Sequence, residues 1–159
     1  MVTISENDMK MLQDTLAHEY FGAAAYRAAI ASGLLSSAAT DVARSFGEHH
    51  QDHAAKLAEL VRDAGGKPVA PDTDESYFAE VGKNALESEA DVLRYALSLE
   101  RGAAIGYLQL VSEFENRKLA QIMASISGDE AMHWAALRQA LGLPPVPVSF
   151  VPLTDEGEN

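Results

Sequence analysis

HHQDHAAKL (residues 49–57) and DEAMHWAAL (residues 129–137) superpose at an offset of 80 positions, with His50 on Glu130, His53 on His133 and Leu57 on Leu137. A helix advances about 100° per residue. In the first stretch Leu57 then lies ~40° and His50 ~60° from His53, on the side that also carries Val42, Phe46 and Leu60. Glu48 points away at ~−140°, and only a register slip that reversed the helix face would bring it inward. His49 sits on the margin. In the second stretch Leu119, Ile126, Leu137 and Glu130 all lie within ~60° of His133. Titratable groups therefore share the apolar stripe of two different helices.

The repeat extends upstream of both stretches. LAHEYFGAAAYRAAI (16–30) lays over SLERGAAIGYLQLV (98–111), with Glu19 on Glu100 and Tyr26 on Tyr107. Both glutamates face the apolar side: Leu12, Ala23, Tyr26 and Ile30 lie within ~40° of Glu19, and Leu93, Ala104, Tyr107 and Val111 within ~40° of Glu100. Two matching helical hairpins imply a pseudo-twofold arrangement.

Helical periodicity covers most of the chain. The first segment runs from about Ser5 to Ala31, with Ser5 and Asp8 resembling a capping box. The second starts at Ser36 or Ser37 and stops at Gly65-Gly66. Residues 67–76, KPVAPDTDES, read as a loop. A third segment spans about Ser76 to Glu115, with a possible break near Gly82. The fourth runs from about Arg117 to Leu141, before Gly142 and Pro144-Pro145. The expected class is all-α: an up-down bundle of four helices, as two hairpins joined by one crossover. One domain is expected over residues 1–159, with the bundle at about 5–142 and an extended tail at 143–159. In that tail Val148, Phe150, Val151 and Leu153 are expected to cover the bundle or a neighbouring subunit, or the tail is only partly ordered.

Six ionisable side chains, Glu19, His50, His53, Glu100, Glu130 and His133, are thus expected at the centre of one bundle. A buried carboxylate without a counter-charge costs several kcal/mol, and no inward Lys or Arg is read from the pattern. Either a pair of divalent metal ions, for which carboxylate and imidazole are natural ligands, or protons and water must balance the three glutamates. Tyr26 and Tyr107 are read either as hydrogen-bond partners of the ligands or as core residues. Trp134 is read as packing between helices or subunits. His18 and His49 are read as surface or supporting groups, and Glu87, Glu89 and Asp91 as a solvated face, with Glu89 near the apolar stripe.

These residues resemble the ferritin-like superfamily of di-metal carboxylate bundles, which includes bacterioferritin and rubrerythrin. The resemblance covers roughly residues 8–141. That family supplies one Glu from each of two helices and a Glu-x-x-His motif from each of the other two. Glu130-Ala131-Met132-His133 matches one such motif in full. His50-Gln51-Asp52-His53 departs from the other, with histidine where a bridging carboxylate is usual. The resemblance implies Glu130 as bridge, Glu19, His53, Glu100 and His133 as terminal ligands, and His50 as a ligand to one metal. It implies iron first, manganese or zinc otherwise, with oxygen or peroxide as reactant and a homodimer as assembly. Haem is not expected, because Gln51 and Asp52 stand where a methionine-ligated site would be. The extra imidazole favours lower oxidation states and leaves open a metal-binding or structural bundle without redox turnover.

Composition is consistent with that reading. The chain of 159 residues carries 12 basic and 24 acidic residues and no cysteine. Thiolate sites and disulfides are excluded, and a net charge of −12 argues against nucleic-acid or anionic-membrane partners. The polar N-terminus does not read as a signal peptide, so the cytoplasm is the expected compartment, with a trimmed export signal as the alternative.

Overall fold

The computed structural model describes residues 4–152. They form five helices: α1 (Glu6–Ala31), α2 (Ser37–Asp63), α3 (Asp74–Gly82), α4 (Glu89–Glu113) and α5 (Arg117–Ala140), with no strand among the described residues. The described chain divides into two compact units in the first turn of α4, between Val92 and Leu93.

In the first unit α1 packs on α2, and α3 packs on α1. Glu19 meets His50 and His53, while Tyr26 meets Phe46 and Gly47, so α1 and α2 run antiparallel. Local chemistry sets the ends of both helices. Ser5 caps α1 by accepting from Asp8 N at 3.1 Å, which is one half of the expected capping box. Ser36, rather than Ser37, caps α2 by accepting from Ala39 N. Gly65 takes φ 83 and closes α2, with Gly66 N donating to Val61 O at 2.8 Å.

The third expected segment is two helices. α3 begins at Asp74, where Thr73 accepts from Ser76 N. It stops at Gly82, and Ala85 then turns through φ 47, a left-handed conformation that a helix cannot continue through. α4 restarts at Glu89. Glu89 itself corrects the solvated-face expectation. It is half-buried and accepts from Ser36 N at 2.5 Å and from Ser36 Oγ at 3.2 Å, placing a carboxylate at the N-terminus of α2. Glu89→Ala should cost about 1 kcal/mol, read as a lower urea midpoint at unchanged slope; an unaltered midpoint would mean that solvent replaces the contact.

The start of the connection that follows α2 is fastened to α1. The Gln13 side-chain amide donates to Lys67 O and accepts from Val69 N, both at 2.8 Å. Arg27 pairs with Asp74 at the start of α3.

In the second unit, Glu100 meets His133 and Ser127 Oγ donates to Ala104 O at 2.9 Å, so α4 and α5 also run antiparallel. Asn116 caps α5 by accepting from Lys118 N and Leu119 N. Trp134 is buried within the chain, which settles it as an intrachain packing residue, and the Arg138 guanidinium lies 5.9 Å from its ring centroid. Arg138 is a buried basic residue that the pattern did not reveal. Its Nε donates to Pro144 O at 2.6 Å, tying the end of α5 to the tail.

One apolar expectation is corrected and one narrowed. Val42, in the second turn of α2, is 44% exposed rather than part of the core stripe. In the tail, Val148 and Phe150 are exposed, Phe150 at 85%, so neither is covered by its own chain; Leu153 lies outside the described residues. No described helix is long and apolar enough to cross a membrane.

Candidate metal centre

Each hairpin carries a buried carboxylate–imidazole cluster on its inner face. In the first, Glu19 projects from the middle of α1, with His50 and His53 one turn apart on α2. His50 Nδ1 donates to Glu19 Oε2 at 2.8 Å, and His53 Nδ1 lies 3.4 Å from the same oxygen. The two imidazoles stand edge to face, with centroids 6.1 Å apart. One donor atom from each of Glu19, His50 and His53 lies within 4.8 Å of the others. Glu19 and His50 are buried and His53 is half-buried. Tyr26 stacks on His50 at 5.6 Å and packs its ring edge on Phe46 at 5.8 Å. Glu48 is exposed, so the slipped register does not occur in α2. His18 is exposed and His49 half-buried against Phe46.

In the second hairpin, α4 contributes Glu100 and α5 contributes Glu130 and His133, each at most 2% exposed. His133 Nδ1 lies 3.2 Å from Glu100 Oε2 and 3.4 Å from Glu130 Oε2. One donor atom from each of the three lies within 4.8 Å of the others. Asp129, one turn before His133, places Oδ2 3.4 Å from His133 Nε2. Sequence reasoning missed this residue, although its i, i+4 spacing is a usable signal. A carboxylate on the far nitrogen fixes the ring and directs Nδ1 toward Glu100 and Glu130. Tyr107 is buried in the same hairpin.

The electrostatics follow from these contacts. Burial works to raise the Glu19 carboxyl, but hydrogen bonds and charge from His50 and His53 overcome it and hold the group at about 2. Burial works to lower His133, but Glu100 and Glu130 overcome it and hold the imidazole at about 9. Without metal, a proton on His133 supplies positive charge beside two buried carboxylates.

The donor set fits a divalent transition metal. Carboxylate oxygen and imidazole nitrogen suit iron, manganese and zinc, and all the groups converge within a few ångströms inside each hairpin. A buried His/Glu cluster able to hold a metal is therefore a feature of this protein.

Residues 7–143 match the family model described as a ferritin-like domain. A search of the curated proteins gives no match. Among solved structures, the chain is similar to a conserved hypothetical protein from Mycobacterium tuberculosis, with 17% sequence identity and a TM-score of 0.70 over 91% of this chain and 96% of that one. At that identity the likeness bears on the fold alone.

Proposed function

Because the chain belongs to the ferritin-like domain family, we propose that Glu19, His50, His53, Glu100, Glu130 and His133 act together as the ligands of a di-metal centre within a single domain. Iron is the first candidate, with manganese or zinc as alternatives, and the reaction is oxidation of Fe(II) or reduction of oxygen or peroxide. The observation that carries this reading is the doubled cluster. Both hairpins bury a Glu on the first helix and a histidine-containing pair three residues apart on the second, at the positions that the ferritin-like pattern uses.

The metals would supply electrons and open coordination positions. The protein's residues would hold those positions and keep water away. Glu130 would bridge, with its carboxylate fully buried. Glu19 and Glu100 would be terminal oxygen ligands, and His53 and His133 terminal nitrogen ligands. His50 would bind one metal through neutral nitrogen. The set then carries three negative charges rather than the four of two full Glu-x-x-His motifs, which disfavours accumulated ferric charge. A homodimer and a cytoplasmic setting belong to the same reading by resemblance.

His50 also favours a second reading, a metal-binding protein for storage or stability without turnover. Oxygen addition separates the two. Protein loaded anaerobically with Fe(II) and then exposed to oxygen should develop visible absorbance faster than Fe(II) in buffer. A trace no faster than buffer, from protein shown to hold iron, would exclude the redox reading and leave the storage reading.

A further inference from the structure

Gly22 is the single glycine of α1, set in the alanine-rich run FGAAAYRAAIA (21–31). A mid-helix glycine costs ~1 kcal/mol relative to alanine, so its presence there needs a reason in the packing. A Cβ on Gly22 would lie 2.8 Å from His50 Nδ1, 2.9 Å from Cε1 and 3.0 Å from Cγ. The obstacle is a buried ring rather than the end of a flexible side chain. His50 is held by Glu19 at 2.8 Å and stacked on Tyr26 at 5.6 Å, so it has little room to yield. Gly47 makes the reciprocal allowance on α2: a Cβ there would lie 3.1 Å from Tyr26 Cβ. The two glycines let the His50–Tyr26 stack fit between α1 and α2.

The internal repeat supplies an independent comparison. At the offset that places Glu19 on Glu100, Gly22 falls on Ala103, and at the offset that places His50 on Glu130, Gly47 falls on Ser127. The half with an imidazole at the variable ligand position has glycine facing it. The half with a carboxylate there has alanine. A glutamate has no ring atoms in place of Nδ1 and Cε1, the two nearest to the added Cβ, and branches one bond farther from its backbone, so it can turn away from a methyl group.

We propose that Gly22 is a positioning residue that admits imidazole at position 50 and so sets the nitrogen count of the metal centre. The departure from a second Glu-x-x-His motif is then a built feature with its own supporting residue, not decay of a lost site. His50 then adds a third nitrogen donor to those of His53 and His133, and Gly22 makes the room for it. This rests on the di-metal reading, but the geometry of His50 in metal-free protein tests it separately.

The test compares wild type, Gly22→Ala, His50→Glu and the double variant Gly22→Ala/His50→Glu. In chelated protein, nitrogen-15 NMR of wild type should show a hydrogen-bonded His50 Nδ1–H, and Gly22→Ala should lose it. With Co(II) as probe, Gly22→Ala should bind at least tenfold more weakly than wild type, with a d–d spectrum showing one nitrogen fewer. The double variant should recover binding to the level of His50→Glu, because a carboxylate tolerates the added methyl. A merely structural glycine would not be rescued in this way. Gly22→Ala matching wild type in both the NMR signal and the Co(II) spectrum overturns the proposal. Should Gly22→Ala fail to fold, a folded and Co(II)-binding double variant supports it and an unfolded one overturns it. Absence of Co(II) binding by wild type would instead overturn the di-metal reading, with the NMR comparison still deciding Gly22.

Discussion

Purified without chelator, the wild-type protein should carry about two transition-metal ions per chain, as the ferritin-like ligand pattern requires, and Glu130→Ala/His133→Ala should carry none. Elemental analysis of the two proteins reads this directly. Glu130 and His133 are the bridge and a terminal ligand of the proposed centre, so their loss leaves no complete ligand set. A metal bound only by the native state stabilises it by about 4 kcal/mol when present at a thousand times its dissociation constant. For a chain of this size that is on the order of 10 °C in Tm. Wild type should show that rise on adding Fe(II), Mn(II) or Zn(II), and the variant should not. Equal metal content in the two proteins would exclude the assigned ligands. One ion per chain in wild type would point to occupation of one hairpin's cluster alone.

The stability of the metal-free protein and its affinity for metal should change with pH in opposite directions. In the metal-free protein His133 is raised from 6.5 to about 9 by Glu100 and Glu130, against the effect of burial. Its contribution to stability is complete below pH 6.5 and is lost as pH rises through 9. Glu19 is lowered from 4.5 to about 2, the His50 and His53 contacts again outweighing burial. Its contribution is present above pH 4.5 and is lost as pH falls through 2. Both contributions are therefore present together between about pH 4.5 and 6.5, and the metal-free protein should weaken as pH rises from 6.5 through 9. A metal ion has to displace the proton on His133, so its apparent affinity should rise about tenfold per pH unit over the same interval. Urea titrations of chelated protein at pH 6 and pH 9, paired with metal titrations at both, check the two slopes. Stability of the metal-free protein that climbs from pH 6 to pH 9 would contradict a protonated His133.

The inward-facing glutamates and histidines were legible in the sequence because helical periodicity is a local signal. Leu12, Ala23 and Tyr26 around Glu19 are enough to point that carboxylate inward, and Glu19 is buried. Ser36 starts and Gly65 ends the second segment by cap chemistry that also acts over a few residues. The missed features depend on partners far along the chain or on properties without a period. Glu89 reads as part of a solvated face that comes near the apolar stripe, and its partner Ser36, 53 positions away, is what the pattern cannot show. The pattern starts the third segment at about Ser76 and allows a break near Gly82, whereas α3 begins two residues earlier, because Thr73 inside the loop-like stretch supplies its cap. Arg138 looks like a basic last-turn residue, and its burial follows from Pro144 folding back onto it. Gly22 has no side chain to register on any face, so its role appears only when a Cβ is placed on it.

The Gln13 clamp bears on whether molecules of this chain can trade parts. A connection as long as residues 64–73 is the kind of hinge through which two copies exchange a hairpin and become entangled. Here the chain leaving α2 is bound at once to α1, through both hydrogen bonds of the Gln13 amide and then through Arg27 and Asp74. Exchange through this stretch would have to straighten it and break those contacts. The fastening thus opposes exchange through residues 64–73 and holds the start of α3 to the α1 of its own chain.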